Sequence, residues 1–80
     1  MEDVKEDRLL DASGLSCPMP VVKAAKEMRG MEPGQVLKIV ATDRGSVADI
    51  PAWAEDTGNE LLQSTTDGGR YVFLVRKGGA

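Results

Sequence analysis

Apolar and polar residues recur along this chain with two different periods, and the switches between them outline six elements. Arg8-Leu9-Leu10-Asp11-Ala12 fits a short strand that delivers the chain to Ser13-Gly14. From Pro18 to about Arg29, apolar residues fall at Val21, Ala25 and Met28, with Val22 and Ala24 beside them. Lys23, Lys26 and Glu27 take the opposite side and Arg29 its margin, which is the pattern of an amphipathic helix. The helix is expected to stop near residue 29 or 30, because Gly30 follows and Met31-Glu32-Pro33-Gly34 sets Pro and Gly in the positions of a type II turn. Val36-Leu37-Lys38-Ile39-Val40-Ala41 is rich in β-branched residues and too short for a capped helix, so it reads as a central strand. After the loop Thr42-Asp43-Arg44-Gly45, Ser46 and Asp49 resemble a capping box with Asp where Glu or Gln is usual. Val47, Ile50, Trp53, Ala54 and Thr57 then mark a second helix that ends at Gly58. Pro51 forfeits a hydrogen bond if that helix starts at Ser46; the alternative start is Ile50. Glu60 to Thr66 and Arg70 to Lys77 read as a hairpin around Asp67-Gly68-Gly69.

The order is β-α-β-α-β-β. Its first strand-helix-strand unit implies parallel pairing. The fold class is therefore α/β (α+β): a two-layer sandwich with a mixed four-stranded sheet, both helices on one face and the other face wholly or partly open. Residues 1–7 are charged and lack periodicity, so they are expected to form a flexible N-terminal arm, with residues 8–78 a single domain and a fraying tail at Gly78-Gly79-Ala80.

Composition narrows the chemistry. The 80 residues suffice for one core, and one cysteine permits no intramolecular disulfide, which fits a reducing compartment. Histidine is absent, so the commonest metal ligand and the commonest general base are both missing, and neither a metal site nor a cofactor is expected. The opening Met1-Glu2-Asp3-Val4-Lys5-Glu6-Asp7 has no apolar run for a signal peptide, and no stretch is long enough to span a bilayer; a cytoplasmic protein without membrane contact is expected. A net charge of −3 argues against direct nucleic-acid binding.

The stretch Gly14-Leu15-Ser16-Cys17-Pro18-Met19-Pro20 carries the candidate chemistry. Proline is favoured at the first helical position and pushes the residue before it toward extended backbone, so Cys17 reads as the N-cap of the first helix. There its sulfur would meet the backbone N–H groups of Met19 and Val21, since Pro20 has none, and the positive end of the helix dipole. That setting predicts a Cys17 pKa lowered from the ordinary thiol value. Gly14 lets the loop turn tightly and hold the sulfur at an exposed corner. The plain alternative is a small buried hydrophobe.

These residues resemble the TusA/SirA-like family of small sulfur-carrier proteins, marked by Cys-Pro-x-Pro at the start of the first helix. The resemblance runs over roughly residues 9 to 79 and includes Met31-Glu32-Pro33-Gly34, Asp49-Ile50-Pro51 and the closing Leu74-Val75-Arg76-Lys77-Gly78-Gly79. One departure is Thr42-Asp43-Arg44-Gly45, where many relatives carry an acidic pair followed by proline. The resemblance implies that Cys17 carries sulfane sulfur as a persulfide, supported by Gly14, Pro18, Met19, Pro20 and Val21. It implies a cysteine desulfurase or rhodanese-type enzyme as sulfur donor. It further implies a downstream acceptor protein in tRNA 2-thiouridine formation, molybdenum-cofactor synthesis or sulfur oxidation. Such a carrier acts stoichiometrically rather than as a stand-alone turnover enzyme.

The residue reading agrees, because a relay needs one nucleophile and no neighbouring thiol to reduce the persulfide. A redox role through a mixed disulfide or sulfenic acid on Cys17, or a binding module in which Cys17 is incidental, stays open. Lys23, Lys26 and Arg29 form either a docking strip for an acidic partner or a solvated face. Met19 is expected to be exposed beside the sulfur, Trp53 to belong to the core, and Arg76 and Lys77 to be an ordinary charged strand end.

Overall fold

In a computed structural model the described residues are 5–79. The elements are β1 (Arg8–Ala12), α1 (Met19–Arg29), β2 (Val36–Ala41), α2 (Ser46–Asp56), β3 (Glu60–Asp67) and β4 (Arg70–Arg76). They form the mixed four-stranded sheet expected, in the order β1-β2-β4-β3. β1 runs parallel to β2, whereas β2–β4 and β3–β4 are antiparallel. The first four positions of the expected arm lie outside the described residues, as does Ala80. Asp7, placed in that arm by its charge, is tied to the sheet: its N–H donates to the Val36 carbonyl at 2.8 Å and its carboxylate accepts from the Val36 N–H at 2.8 Å.

One sheet face and both helices enclose the core. Leu37, Ile39, Phe73 and Val75 meet Ala24 and Met28 of α1 and Ile50, Trp53 and Ala54 of α2. The opposite face carries the row Leu9, Lys38, Leu74 and Gln63, cross-strand partners with Leu9 60% exposed. The type II turn forms as the sequence indicated: Gly34 has φ +92 and the Gln35 N–H donates to the Glu32 carbonyl at 3.0 Å. In the β3–β4 hairpin Asp67 pairs with Arg70, so Gly68 and Gly69, both at positive φ, make a two-residue turn.

Two local expectations change, and the open choice of where the second helix starts is settled. The fully buried stripe of α1 runs through Pro20, Ala24 and Met28, with Val21 and Ala25 of the expected stripe partly buried against the core, and Val22 is 51% exposed. The four-residue step keeps the fully buried three on one face, and the smallness of Ala24 lets the helix lie close to the sheet. In α2, Val47 is 49% exposed and Ser46 takes the inward position. The helix runs unbroken from Ser46 with Pro51 inside it, because burial of Ile50, Trp53 and Ala54 outweighs the lost backbone bond. No helix among the described residues is long and apolar enough to cross a membrane.

Candidate functional site

Parallel pairing of β1 and β2 fixes where the site lies. Ala12 and Ala41 stand side by side at the carboxyl ends of the two strands, so the loops leading into α1 and α2 emerge together. In sheets with parallel strands this edge is where ligand-handling residues gather. The Gly14 N–H donates to Thr42 Oγ1 at 2.8 Å and joins the two loops directly. Gly14 has φ +82, a conformation that favours glycine and turns the chain toward Cys17.

Cys17 is exposed, as expected, and the buried-hydrophobe alternative is excluded. Its local setting differs from the expectation in two respects. Pro18, not Cys17, is the N-cap of α1, which has no side-chain cap bond; Pro20 lies in the first turn and is buried. The Met19 N–H donates to the Ser16 carbonyl at 2.8 Å in a tight turn, so that amide is not free for the sulfur. Cys17 Sγ–H instead donates to Asp49 Oδ2 at 2.8 Å. The expected lowering of the thiol pKa is corrected accordingly. The hydrogen bond to Asp49, partial loss of solvent and the negative charges of Asp49 and Asp43 all push the Cys17 pKa up from its ordinary value. A hydrogen bond that the thiol donates is lost on ionisation, and two nearby carboxylates repel a thiolate.

Asp49 is the residue that sequence reasoning misassigned. It does not close a capping box: Gly45 is the N-cap of α2, no side-chain cap bond forms there, and Asp49 is committed to Cys17. Ser46, read as the cap, is 1% exposed, and its Oγ has no hydrogen-bond partner among the described residues. Asp43 shapes the loop before α2, its Oδ2 accepting the Gly45 N–H at 3.1 Å and its carbonyl the Ser46 N–H at 3.0 Å. Local sequence gave no sign that Asp49 faces Cys17; the signal available was the coincidence of two loop ends on adjacent parallel strands.

Beside the sulfur, a shallow cleft of about 520 Å³ runs between the helices, lined by Pro18, Val21, Asp49, Ala52, Trp53, Asp56 and Thr57. A second cleft of about 330 Å³ lies farther along, where Arg29 and Lys77 supply positive charge and Trp53 again forms part of the wall. Trp53 thus belongs to the core, as the sequence indicated, while one edge reaches both clefts. Lys23, Lys26 and Arg29 are all exposed on α1, and Met19, 40% exposed, is joined on the surface by Val22 and Val47. Arg76 is not unpaired: it bonds Glu60 across the β3–β4 ladder at 2.7 Å, while Lys77 Nζ donates to the Met31 carbonyl. Among the described residues no cluster of His, Cys, Asp and Glu has the arrangement of a metal site.

Comparison with known proteins agrees with this geometry. The family model described as Sulfurtransferase TusA matches residues 8–77. The chain is 52% identical over 71 residues to a sulfur carrier protein TusA of Allochromatium vinosum, covering 89% of this chain and 93% of that one. It is 52% identical over 77 residues to a putative sulfur carrier protein of Aquifex aeolicus, covering 96% of this chain but 39% of that longer protein. A crystal structure of a SirA-like protein from Desulfitobacterium hafniense superposes with a TM-score of 0.77 at 26% identity, covering 89% of this chain and 97% of that one. With the match spanning nearly all of the domain and the fold shared, the chain belongs to the TusA family.

Proposed function

We propose that this protein is a sulfur carrier in which Cys17 accepts sulfane sulfur as a persulfide from a donor protein and passes it to an acceptor. The observation that carries this reading is a single exposed thiol at the joined ends of two parallel strands, in a chain of the TusA family. The transfer balances without an outside oxidant. The Cys17 thiolate attacks the outer sulfur of a donor cysteine persulfide, the donor's S–S bond breaks, and the donor thiolate leaves with the proton that Cys17 gives up. Because the sequence contains no second cysteine, the persulfide meets no internal thiol and the next transfer is between molecules. Donors of the cysteine desulfurase or rhodanese type fit this chemistry, as do acceptors in tRNA thiolation, molybdenum-cofactor synthesis or sulfur oxidation. A reducing, cytoplasmic setting suits a free thiol.

Whole-protein mass spectrometry tests the assignment. Incubation with a persulfide donor is expected to add about 32 mass units that a mild reductant removes, whereas a sulfenic acid adds about 16. Cys17→Ser is expected to remain folded and gain nothing, and sulfur retained on that variant would disprove the role of Cys17. The exposed Lys23, Lys26 and Arg29 strip is read as a docking surface for an acidic partner face. Reversing Lys23 and Lys26 to Glu is expected to slow protein-to-protein transfer several-fold and flatten its salt dependence. Unchanged rates would reduce the strip to a solvated surface.

A further inference from the structure

The carrier reading leaves Asp49 without a role, yet its carboxylate is the group in closest bonded contact with the sulfur. We infer that Asp49 is a positioning residue for sulfur transfer: it holds the Cys17 thiol as a hydrogen-bond donor turned toward α2 in the free carrier. This latch opens when the negative charge of Asp49 is neutralised, the change that Asp49→Asn imitates. This inference rests on the carrier function proposed above and specifies how its site is regulated.

Three observations converge on it. The first is the 2.8 Å bond from Cys17 Sγ–H to Asp49 Oδ2, made between residues 32 positions apart in the chain. The second is the space that admits it. Gly45 has φ −61, an ordinary helical value, so its glycine is not required by backbone conformation. A Cβ there would lie 2.9 Å from Asp43 Oδ2, 3.5 Å from the Cys17 Cβ and 3.7 Å from Asp49 Oδ2. Its bare α-carbon is what allows the two carboxylates and the cysteine to gather around one point. The third is the sign of the charges that face the sulfur. The loop before α2 contributes Asp43 and α2 contributes Asp49, and both act against a thiolate. The stretch from Ala12 to Ser16 holds no ionisable side chain, and α1 none before Lys23. Arg44, the one cation of the loop before α2, is exposed and is not among the groups that shift the thiol.

Asp49 is poorly suited to the alternative role of general base. The thiol is the donor in the bond to Asp49, and the negative charges of Asp49 and Asp43 both act against its ionisation. A carboxylate in this position therefore keeps the proton on sulfur. For a carrier moving between partners this has a use: the free thiol is a weak nucleophile toward stray electrophiles and oxidants, because the thiolate is the reactive form. Neutralising Asp49 removes its negative field and leaves the sulfur free to ionise. The thiolate then attacks the donor persulfide by the balanced exchange already written.

The test is the pH dependence of Cys17 alkylation by iodoacetamide in the full chain. Asp49→Asn keeps the shape and an acceptor oxygen but removes the charge. It is expected to move the alkylation midpoint to lower pH and raise the rate at pH 7 by about three- to tenfold, one pKa unit being a tenfold change in thiolate. Asp43→Asn is expected to do the same to a smaller degree. Salt at about 1 M, which screens charges beyond about 3 Å, should weaken the effect of Asp43 but leave most of the 2.8 Å contact with Asp49, so the wild-type midpoint should stay above that of Asp49→Asn. A purely structural role for Asp49 would not produce the shift. A midpoint unchanged in Asp49→Asn, or a slower rate at pH 7, overturns the inference. Thermal unfolding of each variant confirms that the fold is retained, and Asp43→Asn supplies the second variant should Asp49→Asn unfold. Persulfide loading of the same wild-type sample, read by mass, is independent. A wild type that takes up no sulfur refutes the carrier function while the alkylation profiles still decide the latch.

Discussion

The two helices begin at matching places, one after each of two adjacent parallel strands, yet their first turns are built differently. α1 opens with Pro18 and Pro20 and has no acidic residue in its first turn; α2 opens at Gly45, buries Ser46 and carries Asp49. Neither start has a side-chain cap. The positive end of α2 favours the Asp49 carboxylate that lies there. At α1 the carboxylates of Asp49 and Asp43 face Cys17 and push its pKa up, the opposite of what a bare helix start does to a thiol. A cysteine at a helix start is thus acidified only when nothing anionic faces it, and what faces it is decided by the strand register, not by the residues next to it. Each helix has an exposed valine near its start, Val22 on α1 and Val47 on α2.

The contrast depends on α2 being held in place, and Ile50, with Trp53 and Ala54, ties it to the core. Ile50 is fully buried beside Asp49, among the large side chains of the core. Ile50→Ala is expected to cost about 2–5 kcal/mol, the range for deleting a large buried aliphatic side chain, and to lower the urea midpoint. In an 80-residue domain this is a large share of the total stability. A loss below about 1 kcal/mol would mean that the start of α2 is anchored by something other than the core.

Gly14 controls the other start. Its φ of +82 costs a non-glycine residue about 1–2 kcal/mol, and no atom lies within 4 Å of where a Cβ would be, so backbone strain is the whole penalty. Gly14→Ala is expected to destabilise by that amount and to loosen the bond from its N–H to Thr42. Hydrogen exchange of the Gly14 amide reports the loosening. Unchanged protection at position 14 together with unchanged stability would show that the loop holds its shape without this glycine.

Much of the fold was legible in the chain because the signals were local. The Glu32-Pro33-Gly34-Gln35 turn, the Gly68-Gly69 hairpin and the β-branched run at Val36–Ala41 each formed as their residues indicate. The helix faces were less legible, since Val22 and Val47 look like core residues while Pro20 and Ser46 do not; which side is buried was settled by the approach of the sheet. The exposed sulfur was legible from the prolines around it. Its hydrogen-bond partner was not, because Asp49 is 32 positions away and imitates a capping residue, so the apparent box drew it toward its own helix.

Ser46 offers the finest test of how the two starts differ. If it capped α2, replacing it by Ala would cost about 1 kcal/mol. In the structure its hydroxyl is buried with no hydrogen-bond partner among the described residues, an arrangement that itself carries a desolvation penalty of about 1–3 kcal/mol. Alanine removes that penalty, leaves only a small void and has the better helix propensity. Ser46→Ala is therefore expected to leave stability unchanged or raise it by up to about 1 kcal/mol, read as a urea midpoint that holds or rises. Because Asp49 bonds Cys17 and not the helix start, the alkylation profile of Cys17 should be the same in this variant as in the wild type. A loss near 1 kcal/mol, or a shifted alkylation midpoint, would return Ser46 and Asp49 to a capping box and dissolve the distinction between the two helix starts.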